Sequence, residues 1–533
     1  MNIRASRAGI CSLVGVTLVI AALPGNTALA TVARLDPGSF PSVARVDPRY
    51  QSFNIEMAEV IGAKFWKPYA NRHSNAPMTK ILGKPSADLF ERSPPINLGS
   101  SRLRMLAAAL GPIFLRVSGT WANKVYFQDN DAPALHKAPP GFHGVLTRKE
   151  WRGVVNFAKA VNAKILTSFA ISPGVRNGVG LWTPVQARKL LSFTRRIGGS
   201  IDAAELFNEP NFASMGGAPT GYDPADFAHD EAAFHHFVAT YDPAMKIVGP
   251  GTVVVDSPTT KLPMHSLGEE ALLSARPRAH YDIFSYHFYG AISQRCAPPG
   301  SPLGTSPANA LSEAWLSRTD RVFAHQLALR NRFAPGAPIW LTETGDAACG
   351  GNPWAATFLD SFRYLDQLAS LAQRGLSVLF HNTLVGSDYG LLDERTFTPR
   401  PTYWAALIWH RLMGPVVLNP AVREPGLHLY AQCLRGHAGG VAMLALNLDA
   451  SARSLMIADP SWLYVLSAPG RTLETRTILL NGHALALAPG PDLPKITPVR
   501  HRSGKLVLPA HSIVFIAVPN ANNDRCGRPQ GHQ

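Results

Sequence analysis

Charge is scarce in this sequence: Asp, Glu, Lys and Arg make up 16% of its 533 residues, and no dense run of lysine and arginine occurs. With 46% hydrophobic residues, such a chain has ample apolar surface to bury, which excludes an intrinsically disordered protein. Without a basic run the usual footprint of a nucleic-acid binder is missing, and no nucleic-acid partner is expected. A phosphate-binding glycine loop, a dinucleotide fingerprint and a metal-ligand cluster are also missing, so neither a cofactor nor a metal is expected. Cysteine is rare, at five residues. The apolar run Ile10–Leu23 is too short for a comfortable membrane span, so no stable span is expected.

What is present starts with a net charge of +15, dispersed along the chain. On its own it favours acidic partners such as polyuronates or sulfated glycans, nucleic acid or anionic membrane, although general basicity is the plainer reading. Arg4 and Arg7, the run Ile10–Leu23 and Ala28-Leu29-Ala30 form the three parts of a secretory signal, with cleavage near Ala30 and export to periplasm or medium. Cys11 opens the apolar run instead of following it, which argues against a lipoprotein site. Removing the signal leaves Cys296, Cys349, Cys433 and Cys526, an even number for an oxidising compartment. Three pairings are possible. The preferred one joins Cys433 to Cys526 within the carboxy-terminal region and Cys296 to Cys349, which follow strands on one face; free buried thiols are the alternative.

Strand and helix signals alternate from residue 50 to 414. The expected strands are Ser52–Met57, Phe114–Thr120, Lys164–Ala170, Ala203–Glu209, Lys246–Gly251, Ile283–Tyr289, Ile339–Gly345 and Ser377–Thr383. Helical patterns cover Arg102–Leu110, Lys149–Asn162, Pro184–Ile197, Pro224–Tyr241, Ala308–Arg332, Pro353–Arg374 and Arg400–Leu412, several opening on a cap-and-proline pair such as Asp223-Pro224 or Asn352-Pro353. Eight such repeats predict an α/β fold, a (β/α)8 TIM barrel. The stretch Ala63–Ser101 is expected to loop above it. Residues 415–520 turn to short β-rich runs, including Leu427–Gln432, Gly440–Asn447, Ser454–Ile457, Thr472–Leu480 and Ser512–Val518, predicting a C-terminal antiparallel β-sandwich. Residues 31–49 would join that sandwich at an edge, and 521–533 would form a tail.

In such a barrel the working groups project from the carboxy ends of the strands. Glu209, in Glu205-Leu206-Phe207-Asn208-Glu209-Pro210-Asn211, ends the fourth, and Glu343, in Ile339-Trp340-Leu341-Thr342-Glu343-Thr344-Gly345, ends the seventh. Cleaving a glycosidic bond needs two facing carboxyls, and these two are the candidates. Asn208 is placed to bond a sugar 2-hydroxyl. Glu205 reads as a structural acid paired with a base such as Arg116. His287 and Tyr289 end strand six and could orient a nucleophile, or simply pack in the barrel mouth.

The segment Ile339–Gly414 resembles the heparanase and β-glucuronidase family of retaining glycoside hydrolases. Trp340-Leu341-Thr342-Glu343-Thr344, Gly350-Gly351, Tyr389-Gly390-Leu391-Leu392-Asp393-Glu394 and Pro401-Thr402-Tyr403-Trp404 carry the likeness. Glu205–Asn211, Phe114–Thr120 and His287-Phe288-Tyr289 extend it upstream, and Cys433 with Cys526 is similar to the family's sandwich disulfide. The resemblance implies a secreted β-glucuronidase with Glu209 as acid/base and Glu343 as nucleophile, acting on an acidic oligo- or polysaccharide. It further implies that Tyr389 and the amides of Gly350 and Gly351 hold the glucuronate carboxylate, and that Glu56, Thr120, Asn208, His287, Tyr289 and Asn382 line the sugar site. Asn382 stands where the family tends to place a glutamine, and Glu56 where it places an aspartate. The Lys/Arg clusters with which vertebrate heparanases grip sulfates are not matched: Gly251–Lys261 is not basic, and Lys80, Lys84 and Arg92 are loosely spaced. The alternatives are a related retaining barrel glycosidase acting on another β-linked sugar, and a non-catalytic glycan-binding protein.

Overall fold

The computed structural model describes residues 33–527 apart from 70–88, 261–264, 298–299, 423, 471, 489 and 491. The expected signal segment 1–30, Lys80, Lys84, Lys261 and the last six residues therefore lie outside the described residues. Eight parallel strands close into a barrel in chain order: Gln51–Glu56, Ile113–Ser118, Ala163–Ser168, Ala203–Glu205, Lys246–Val255, Ile283–Tyr289, Ile339–Gly345 and Val378–His381. Side chains alternate along each strand. Phe114, Leu166, Ala203, Val248, Ile283, Trp340, Val378 and Phe380 point inward and pack into an apolar floor. Their outward neighbours Leu115, Ile165, Ala204, Ile247, Phe284, Leu341 and Leu379 join the core beneath the helices. The barrel is thus a filled core, with room for chemistry only above the floor.

The helices form where an apolar stripe meets a cap. Thr147 accepts from Glu150 N and Glu150 reaches back to Thr147 N, a capping box opening Arg148–Ala160, which buries Trp151, Val154, Val155, Phe157 and Ala158. Asp223 caps Pro224–Tyr241 in the same way. Two helix expectations need correction. The stretch Ala308–Arg332 is not one helix: serines interrupt it, so Pro307–Asn309, Glu313–Leu316 and Arg318–Phe333 are separate, with Ser312 capping the middle piece. Asn352-Pro353 is not a cap either. The helix starts at Phe358, and the amides of Phe358 and Leu359 donate to Thr475 O and Leu473 O of the C-terminal region. Two of its orphan donors are thus satisfied across the seam between the two regions.

Of the stretch 63–101, the described part includes an antiparallel pair, Lys64–Trp66 with Phe90–Arg92. No described helix is long and apolar enough to cross a membrane.

The C-terminal region holds two sheets. Ser42–Arg45 edges the larger one beside Met413–Leu418, followed by Leu427–Leu434, Val441–Asn447, Ser512–Val518 and Ser461–Ser467. Arg34–Leu35 pairs with Arg453–Ile457, which pairs with Gly504–Leu508, to make the smaller sheet. Val441, Met443 and Ala445 face the small sheet, while Ala442, Leu444 and Leu446 face the barrel helices. Both faces of that strand are buried, which is why its sequence is continuously apolar. Thr472–Leu480 is not a strand except at Leu479–Leu480, because its backbone is spent on capping the helix at Phe358. Cys433 is bonded to Cys526 and Cys296 to Cys349. The segment leading to Cys526 is further fixed by Asn523, whose amide donates to Pro37 O and Phe40 O.

Candidate active site

Arg116 lies two residues along strand two from the floor residue Phe114, so it points inward, and it is fully buried. A buried guanidinium must spend its donors. Nε and Nη2 donate to Glu205 Oε2 at 3.1 and 2.8 Å, Nη1 to Glu343 Oε2 at 2.9 Å, and Nη2 to Asn208 Oδ1 at 2.8 Å. Burial opposes the charge of Arg116, but Glu205, Glu343 and Glu56 outweigh it and hold the group above its ordinary value. Nη2 also lies 3.2 Å from His287 Nε2. Since arginine only donates, Nε2 must accept, and the imidazole proton sits on Nδ1, donating to Glu209 Oε1 at 3.1 Å. Burial lowers the His287 pKa to about 4, in keeping with this neutral tautomer.

Strict alternation from Trp340 would turn Glu343 outward. The pairing register shifts between Leu341 and Thr344, and this irregularity aims Glu343 into the mouth while Thr344 faces Gln367 outside. Both Glu343 oxygens are held: Arg116 donates to one, and Tyr289 Oη donates to the other at 2.7 Å. Asn382 Nδ2 donates to Tyr289 Oη at 3.0 Å and lies 3.3 Å from Tyr389 Oη.

Glu209 is built differently. Strand four stops at Glu205, four residues earlier than expected, and Glu209 sits at φ 52°, ψ 63°, a left-handed conformation that a non-glycine residue adopts at a cost of about 1–2 kcal/mol. Two asparagine clamps hold it there. Asn123 exchanges bonds with both backbone groups of Asn208, at 2.8 and 2.9 Å. Asn211 does the same for Val253, at 2.9 and 3.0 Å, which ties the turn to a strand five that runs on to Val255. The Glu209 side chain is 19% exposed, and burial pushes its pKa up to about 7, against the pull of Arg116. Facing oxygens of Glu209 and Glu343 lie within 4.8 Å of each other, with a His287 nitrogen in the same cluster. Three such donors could in principle hold a cation, but Arg116 already supplies the positive charge.

The remaining wall comes from strand ends and loops. Glu56 is buried against Gly119, at φ 89°, where any side chain would collide with its carboxylate. Burial and the charge of Glu343 raise the Glu56 pKa well above the carboxylate range. Tyr389 is buried, and His381 Nε2 fixes its carbonyl at 2.7 Å. Gly350 and Gly351 have φ of 79° and 82° and stand where a Cβ would strike Trp66 and Asp346 respectively. One expectation is corrected here: Gly351 N–H donates to Ala347 O at 3.2 Å, because the turn closes on itself, whereas Gly350 N–H has no backbone acceptor among the described residues. Thr120 is half-buried beside Gly119 and is not drawn into the network around Glu343. Sequence reasoning missed Asn123 and Arg295; a loop position without periodicity gave no signal for either.

Comparison with known proteins adds a lineage to this geometry. Residues 93–369 match the family model described as glycosyl hydrolase family 79, N-terminal domain, a segment that includes both Glu209 and Glu343. The chain belongs to glycosyl hydrolase family 79. It is a glycoside hydrolase. Among its relatives, heparanase-like protein 1 of Arabidopsis thaliana is 27% identical, over 81% of this chain and 87% of that protein. Baicalin-beta-D-glucuronidase of Scutellaria baicalensis is 24% identical over all of both chains, and heparanase of Mus musculus 26% over 80% and 88%. A solved 4-O-alpha-L-rhamnosyl-beta-D-glucuronidase from Fusarium oxysporum shares the fold with a TM-score of 0.62 at 14% identity, covering 91% of this chain and 100% of its own.

Proposed function

We propose that this family 79 enzyme is a secreted β-glucuronidase that acts with retention of configuration. The observation that carries the reading is the unequal pair of carboxyls within 4.8 Å, the spacing of a double displacement, since inverting enzymes leave roughly 6.5–9.5 Å for a water. Glu343, gripped by Arg116 and Tyr289, attacks the anomeric carbon. Glu209, with its pKa near 7, is protonated at mildly acidic pH and gives its proton to the departing oxygen. The glycosidic bond breaks as the glycosyl–Glu343 ester forms. Glu209, now ionised, takes a proton from water, whose oxygen displaces Glu343. Asn208 has its oxygen bonded to Arg116, which leaves Nδ2 to donate to the sugar 2-hydroxyl.

The glucuronate carboxylate is assigned to Tyr389 Oη and Gly350 N–H, with Glu56 and Asn382 on the ring hydroxyls. The names of the relatives support a glucuronide over a neutral sugar, and the disulfides support an exported enzyme. The test incubates the mature protein and Glu343→Gln with an aryl β-D-glucuronide and with heparan sulfate. Aryl release that depends on Glu343, with the polymer uncut, is expected of an exo-acting glucuronidase; polymer shortening would instead mark an endo-enzyme. Hydrolysis of a neutral β-glycoside alone would overturn the glucuronide reading, and binding of the polymer without any turnover would favour a glycan-binding protein.

A further inference from the structure

A glucuronate carries negative charge into a mouth already lined by Glu56, Glu209 and Glu343. Arg116 offers it no free donor, because its N–H groups are committed to Glu205, Glu343 and Asn208. A second guanidinium stands behind the opposite wall. Arg295 is 1% exposed. It donates to Lys67 O and to Asp388 Oδ2 and lies 3.5 Å from Gly351 O, with its plane 4.2 Å over the Tyr69 ring. Its Nε has no partner among the described residues. Asp388 immediately precedes Tyr389, and Cys296, next to Arg295, is bonded to Cys349, next to Gly350. Chain connectivity and a disulfide therefore fix this cation against both groups assigned to the substrate carboxylate. Arg400 supports the same loop from the other side, donating to Ser387 O, Asp388 O and Gly390 O.

Burial opposes ionisation of the Tyr389 hydroxyl most, and among the charges acting on it Glu56, Glu343 and Glu59 oppose it further while Arg295 favours it. An anion bound at that hydroxyl feels the same field, and with it the same attraction. We propose that Arg295, balanced by Asp388, sets the preference of this site for a carboxylated sugar, acting as a positioning residue behind Gly350, Gly351 and Tyr389. The inference rests on the glucuronidase reading and adds to it the source of the selectivity.

The test measures kcat and KM on an aryl β-D-glucuronide, and inhibition by glucuronate against its neutral amide, for wild type, Arg295→Gln, Arg295→Lys and Asp388→Asn. Arg295→Gln should raise KM about tenfold with kcat nearly unchanged, and weaken glucuronate but not glucuronamide. Arg295→Lys should recover part of the loss. Asp388→Asn removes the counter-charge and should lower KM, the opposite sign. A purely structural Arg295 predicts that both substitutions damage the loop alike, so an Asp388→Asn variant with raised or unchanged KM, or an Arg295→Gln variant equally impaired toward glucuronate and its amide, overturns the proposal. If Arg295→Gln fails to fold, the sign of the Asp388→Asn effect decides alone. A wild type inactive on the glucuronide would overturn the glucuronidase reading and this proposal together; an active wild type with unselective variants overturns only this one.

Discussion

Two buried guanidiniums frame the mouth of this barrel, and they are held in opposite ways. Arg116 rises from a strand and is bonded only to side chains: two carboxylates, an amide and an imidazole. Arg295 sits in a loop and is bonded largely to backbone carbonyls, with one carboxylate and one unused N–H. A residue wired to side chains sets their charge and direction. A residue wired to backbone sets the shape of a turn and projects its own charge beyond it. The first arrangement suits bond-breaking, the second recognition. If this division holds, damage near Arg116 falls on kcat and damage near Arg295 on KM.

The largest effect is expected at the centre. Glu343→Gln keeps the shape but removes the proposed nucleophile, and kcat on an aryl glucuronide should fall by about 10⁴-fold or more with KM little raised. A residual rate within tenfold of wild type would mean that Glu343 is not the attacking group. Arg116→Gln tests the same centre through folding. It leaves Glu205 and Glu343 buried without their cation, at a cost of about 3–5 kcal/mol, readable as a lowered melting temperature. Arg116→Lys keeps the charge but loses the fork that spans three partners. It should fold, with kcat down about 100-fold. Equal loss of KM and kcat in that variant would break the contrast with Arg295.

An intermediate effect concerns the acid. Only protonated Glu209 can assist departure of the leaving group, so glycosylation should decline as pH rises through about 7. In Glu209→Gln that alkaline decline should vanish. With a good aryl leaving group the rate at low pH should drop by about 10²-fold, since little protonic help is needed. A variant that retains the decline would place the titrating acid elsewhere, with Glu56 the next candidate because its pKa is also raised by burial.

The same contrast governs what the sequence discloses. The barrel was legible because each strand is a short apolar run, and period-two alternation puts Phe114 and Arg116, or Ala203 and Glu205, on one inward face. That Arg116 would find Glu205 follows from this alternation alone. The inward aim of Glu343 does not, since it depends on a register shift that no residue type announces. Neither does the left-handed turn at Glu209, held by Asn123 from another element and by the bonds of Asn211 to strand five. Loop residues lack a period altogether, which hid Arg295 and the use of Gly351 N–H inside its own turn. In the sandwich, Ser461–Ser467 stands outside the expected runs although Trp462-Leu463-Tyr464-Val465-Leu466 is a strong strand run, and Gly504–Leu508 opens on Gly504-Lys505, which weakens its apolar signal.

The two disulfides give the smallest effects and the finest test of the division between shape and chemistry. They close chain separations of 53 and 93 residues. By loop-closure entropy each is worth about 4 kcal/mol, the longer slightly more. Stability alone therefore predicts that Cys433→Ser with Cys526→Ser is at least as harmful as Cys296→Ser with Cys349→Ser. Function predicts a crossover. The sandwich staple lies far along the chain from every group assigned to substrate, so its loss should lower the melting temperature and leave KM unchanged. The Cys296–Cys349 staple joins the neighbours of Arg295 and Gly350, so its loss should raise KM for a glucuronide about threefold, with kcat unmoved because the strand-built centre does not depend on it. Equal KM values in the two double variants would mean that the carboxylate wall holds its shape through Arg295 and Arg400 without the staple, and that the backbone bonds of those two arginines are sufficient.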